Sequence, residues 1–143
     1  MLVQTRPLLP ATKVMLATSS ALFATVAAHA YLKTRLFYAG LLVLLTVTSI
    51  AWHSSPKLEP EFMNIFWADQ IAIWSTVLMS VYYTSQMSST FYRLLLIAAC
   101  LLAAALSVYL MVFCKWDRSY PAEHATLHGI AALAFHCIIA GQL

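Results

Sequence analysis

The chain has 143 residues, of which 62% are hydrophobic and only 9% charged, with a mean hydropathy of +0.81. A soluble domain carries about 25% charged residues, so there is too little charge here to cover a water-facing surface, and an integral membrane protein is expected. The net charge of +3 is small and spread over loops, which gives no basis for a nucleic-acid partner.

The opening stretch MLVQTRPLLPAT is too short and too proline-broken to be the apolar core of a signal peptide. Five apolar segments follow, at about 14–32, 36–53, 63–83, 91–113 and 122–142, each near the ~20 residues that span a bilayer core as helix. Their separators are short and polar: KTR at 33–35, SSPKLEPE at 54–61, TSQMSST at 84–90 and CKWDRSYP at 114–121. Pro56, Pro60 and Pro121 fall in these breaks, where helices stop or start. Continuous rather than alternating apolar runs argue against a barrel. The expected fold is all-α: one domain over residues 1–143, an integral membrane bundle of about five transmembrane helices with sequential neighbours antiparallel.

With five crossings, the N-terminus and the 54–61 and 114–121 loops share one membrane face. Arg6, Lys13, Lys57, Lys115 and Arg118 lie on that face, against Lys33, Arg35 and Arg93 on the other. The excess of basic residues favours a cytoplasmic or matrix-side N-terminus.

Ionisable side chains inside spans are costly and mark functional candidates. Ser49 and His53 are four apart at the end of the second segment, Asp69 lies about two turns into the third, and His124 and His128 are four apart at the start of the last. The topology brings all five to one depth. On a helix, residues four apart sit about 40° apart and about 6 Å along the axis, a spacing that suits two ligands of one metal. Three histidines from two helices make a first shell for zinc with a fourth position open to water. Asp69 is then the candidate general base and Ser49 a hydrogen-bonding group for the water or for an oxyanion. Apolar surroundings suit a lipid amide or ester as substrate.

The stretches SIAWH (49–53), DQIAIW (69–74) and HATLH (124–128) together resemble the CREST superfamily of membrane hydrolases, which includes alkaline ceramidases, progestin and adipoQ receptors and myomaker-like proteins. The resemblance implies that His53, His124 and His128 bind zinc and that Ser49 and Asp69 orient the water. Members of that superfamily have seven spans. By this reading two are missing between the Asp69 and His124 segments, and another membrane subunit or a second copy is expected to complete the wall of the lipid pocket.

Other polar residues read more plainly. His29 is expected at the opposite membrane face, tens of ångströms from the cluster, as a structural residue, and His136 as a polar packing contact about 12 Å beyond His128. Cys114 reaches the cluster's face and is a weaker candidate for a soft fourth ligand. Cys100, Cys114 and Cys137 form no disulfide framework. Tyr31, Trp52, Trp67, Tyr92, Trp116 and Tyr120 cluster near segment ends as an aromatic belt. Two functions from other classes compete with the hydrolase. One is a non-catalytic accessory subunit of a larger membrane complex, keeping a structural metal site. The other is a haem-binding electron carrier with histidines of two helices as axial ligands.

Overall fold

The computed structural model describes residues 10–55, 63–114 and 120–142. Among the described residues six α-helices follow one another: α1 (Pro10–Ser20), α2 (Leu22–Leu32), α3 (Leu36–Ser54), α4 (Met63–Ser85), α5 (Thr90–Val112) and α6 (Pro121–Ala140). There is no strand among the described residues. α1 and α2 together occupy the first expected segment, so the chain forms the all-α bundle that its apolar runs predict.

The break between α1 and α2 comes from serine chemistry. Ser19 and Ser20 both donate their hydroxyls to the Leu16 carbonyl, at 2.9 Å each. The amide of Ala21 is shared between the carbonyls of Ala17 and Thr18, at 3.2 and 3.1 Å. Side chains that bond back to the preceding turn disturb the regular ladder and bend a helix there.

Pro10–Leu32, α3, α4 and α5 are each long and apolar enough to cross a membrane. The expected fifth span is a helix in the expected place, but α6 is not among these four: Glu123, His124, His128 and His136 make it too polar. Its packing explains how it tolerates them. α6 lies against α1, α2, α4 and α5, so much of its surface meets protein.

The core runs along the seams of α2, α3, α4 and α6, with Val26, Tyr38 and Leu42 fully enclosed. Ala27, Ala30, Ala39, Ala72 and Ala132 stand among them, and small side chains let membrane helices approach closely. Tyr38 carries its hydroxyl into this core and donates it to Ser80 Oγ at 2.6 Å, while Ser80 donates to the Thr76 carbonyl at 2.7 Å. In the α2–α3 turn, the Arg35 amide reaches back to the Ala30 carbonyl at 2.9 Å, with Thr34 at φ 59°. That positive φ is the left-handed conformation that closes a helix end, held here by a β-branched residue.

At the other loop the amides of Ser88 and Ser89 donate to the Gly141 carbonyl at 3.0 and 3.3 Å, and the Arg93 guanidinium donates to the Met87 carbonyl. The α4–α5 turn is thereby tied to the end of α6. Gly141 has no room for a side chain: a Cβ there would stand 2.5 Å from Met87 Cε and 3.1 Å from Tyr92 Cβ. α5 packs chiefly on α6. Between α4 and α5 an apolar groove of about 550 Å³ runs down to a floor made by Ala134, Phe135 and Ile138 of α6.

Candidate metal centre

The end of α3 and the start of α6 meet where the sequence places its histidines. His53 and His128 are buried, at 2% and 9% exposure, and His124 is half-buried. One ring nitrogen from each lies within 4.8 Å of the others. The ring centroids are 4.9 Å apart for His53–His124, 5.1 Å for His53–His128 and 4.9 Å for His124–His128. The helical spacing brings His124 and His128 to one face, and the end of α3 adds His53. Among the described residues, these three are the side chains whose ligand atoms converge in this way. His124, the most exposed of them, marks the open side.

α1 supplies a support that the sequence reading did not include. Ser19 Oγ lies 2.8 Å from His128 Nδ1, and Ser20 Oγ lies 3.5 Å from the same atom. A serine hydroxyl has one proton, and both serines spend theirs on the Leu16 carbonyl. Ser19 therefore accepts from His128 Nδ1–H. That assigns the proton of His128 to Nδ1 and leaves Nε2 as the lone-pair atom, which is the way a buried partner fixes a metal-binding histidine. The edge of Phe23 packs against the same imidazole, with centroids 5.7 Å apart.

Ser49 is buried one turn before His53 and lies 2.9 Å from Ser20 Oγ. With the Ser20 proton directed at Leu16, Ser49 is the donor of that bond. The chain Ser49 → Ser20 → Leu16 leaves Ser49 its lone pairs, whereas the oxyanion role expected for it needs a proton free to turn away from Ser20. The sequence reading did not single out Ser19 or Ser20. The signal that could have found them is their position midway along the first segment, opposite Ser49 in an antiparallel pair.

Asp69 is buried on α4, the one acidic side chain fully buried among the described residues. Thr48 Oγ1 donates to its Oδ1 over a long 3.4 Å, which sets it at the α3–α4 seam beside Ser49's neighbour. It is not among the converging ligand atoms. Cys114, the weaker candidate for a soft fourth ligand, is buried after the end of α5 and does not join the ligand group.

His29 corrects a further expectation, its distance from the cluster, while His136 makes polar packing contacts of the kind expected of it. His29 does not stand tens of ångströms away as an isolated structural residue: its Nδ1 lies 2.9 Å from His136 Nδ1. His136 is eight residues beyond His128, so this second pair is about 12 Å along α6 from the first cluster. The shared α2–α6 seam brings the two together.

No family model, curated protein or solved structure matches the chain.

Proposed function

We propose that the chain is a zinc-dependent intramembrane hydrolase of a lipid amide or ester, ceramidase-like in its chemistry. The observation that carries this reading is the convergence of His53, His124 and His128 with their ligand atoms within 4.8 Å. Three imidazoles with one open side are a donor set used by catalytic zinc. Zinc held there would supply Lewis acidity and bring the pKa of water down to about 7.

The chain's own residues divide the remaining work. Ser19 holds His128 with Nε2 as the lone-pair atom. Asp69, a buried carboxylate, takes the proton of the attacking water and returns it to the leaving nitrogen or oxygen. Ser49 steadies the water by accepting from it, its own proton being engaged by Ser20. The apolar helices around the site suit a substrate with long acyl chains, delivered from the bilayer.

Elemental analysis of gently purified protein tests this directly. About one zinc per chain at this cluster, lost in His53→Ala, is expected. Asp69→Asn should keep the zinc and abolish release of fatty acid from ceramide or ester substrates in mixed micelles. A wild-type protein with normal helical content and no zinc would defeat the reading.

A second reading is a non-catalytic accessory subunit that keeps the cluster as a structural metal site. The groove between α4 and α5 favours it: it lies between the Asp69 and His124 segments, where the family resemblance leaves two spans missing, and a partner helix or second copy would fill it. On this reading Asp69→Asn has no activity to remove, and His53→Ala costs assembly instead. Three imidazole rings in mutual contact leave no gap for a porphyrin, which weighs against haem.

A further inference from the structure

We propose that His29 and His136 form a second transition-metal site, further along the α2–α6 seam and independent of the His53 cluster. The two Nδ1 atoms face each other at 2.9 Å with the rings inclined by 30°. Two nitrogens bound at 2.0–2.1 Å to one tetrahedral ion stand about 3.3 Å apart. An opening of a few tenths of an ångström therefore converts the pair from sharing a proton to sharing an ion. Both side chains are half-buried, not locked into the core, so they have that freedom.

The hydrogen bonds behind the pair are those of a prepared ligand. Thr25 Oγ1 lies 3.1 Å from His136 Nε2 and donates its only proton to the Leu22 carbonyl at 2.7 Å. Toward the imidazole Thr25 is therefore an acceptor, so His136 carries its proton on Nε2 and keeps Nδ1 as a lone pair. Without an ion, His29 Nδ1–H donates to that lone pair. Binding requires His29 to give up its proton at Nδ1 and take one from water at Nε2, so that its imidazole stays neutral and the ion stands where the shared proton stood. A threonine that orients the far nitrogen of a histidine plays the part that carboxylates and carbonyls play behind ligating histidines elsewhere.

The surroundings fit an ion that needs only two protein ligands. Thr25 is exposed and His29 lies one turn before the end of α2, so the pair can be reached from the membrane edge, and two waters can complete the coordination. Lys33 follows one turn after His29 and is exposed, which lets its ammonium extend into water away from the ion. Imidazole pairs with water suit zinc, cobalt and copper among the divalent ions. Phe23, in contact with both His128 and Phe135, stands between the two polar levels and keeps them separate.

Equilibrium dialysis of the metal-stripped full chain in detergent against Zn²⁺ tests the proposal, with free zinc raised until binding saturates. Two zinc per chain are expected, the tighter at the three-histidine cluster. His136→Ala and His29→Ala should each bind one, His53→Ala should bind one, and the His53→Ala/His136→Ala double variant none. Thr25→Val keeps both ligands and should weaken the second site by about 10- to 100-fold, a measure that survives if the alanine variants fold poorly. Cu²⁺ bound to His53→Ala should show the nitrogen couplings of two imidazoles in its electron paramagnetic resonance spectrum. One zinc per chain, unchanged in His136→Ala and lost in His53→Ala, would overturn this site, reduce the pair to a hydrogen bond, and leave the first centre standing. One zinc lost only in His136→Ala would support this site while defeating the first.

Discussion

α5 and α6 are neighbours in the chain, similar in length and packed on each other, but they handle the bilayer in opposite ways. α5 spreads Phe91, Leu94, Leu101, Leu102 and Val108 over an exposed surface and buries only Leu96, Ala99 and Leu110. α6 is enclosed by α1, α2, α4 and α5 and carries the histidines. In water the apolar helix would be the inner one. In lipid the solvent is as apolar as leucine, so greasiness no longer draws a helix inward, and polar groups that need partners do. The polar side chains therefore gather on the less apolar of the two helices.

Matched substitutions sharpen this contrast. Ala132 is buried on α6, and Ala132→Leu forces extra methylenes into a closed seam, for an expected loss of about 1–3 kcal/mol. The unfolding midpoint in mild detergent would fall accordingly. Ser19→Ala removes the acceptor that holds His128 on the inner side of α6. Zinc dialysis should show affinity at the first centre weakened by about 10- to 100-fold with the helical spectrum unchanged. An unaltered affinity would mean that Ser19 merely packs. Tyr38→Phe deletes the buried hydroxyl bond to Ser80 between α3 and α4, with an expected cost of about 1 kcal/mol in the same unfolding measurement. The smallest effect belongs to α5: Ala104 is exposed, and Ala104→Leu should change stability by no more than about 0.5 kcal/mol. If Ala104→Leu proved as damaging as Ala132→Leu, α5 would be covered by a partner and not by lipid.

Much of this was legible because a membrane chain writes its spans as long apolar runs. The expected 36–53, 63–83 and 91–113 match α3, α4 and α5 to within two residues at each end. Convergence of His53, His124 and His128 followed from counting crossings, since helix ends joined by short loops must return to the same face. The break at Ala21 was not legible, because neither proline nor glycine marks it; two serine hydroxyls bonding back to Leu16 make it. The pairing of His29 with His136 also escaped. His29 was placed at the opposite membrane face, and which faces of α2 and α6 meet depends on packing that no local pattern encodes. α6 was counted as a fifth span from its length, and its histidines set it apart from the other four.

The packing of α5 on α6 has a consequence for the order in which the bundle assembles. A ribosome delivers α5 to the membrane before α6 exists, so α5 enters lipid without the protein surface it will eventually rest on. Its strong apolarity holds it there during the wait. When α6 arrives, the carbonyl of Gly141 captures the amides of Ser88 and Ser89, and the α4–α5 turn is clasped from below. The histidine cluster is assembled by the same late event, because His124 and His128 travel on the helix that closes the bundle. The three-histidine cluster is therefore complete only once α6 has docked, and a chain stalled before α6 would hold His53 without His124 and His128.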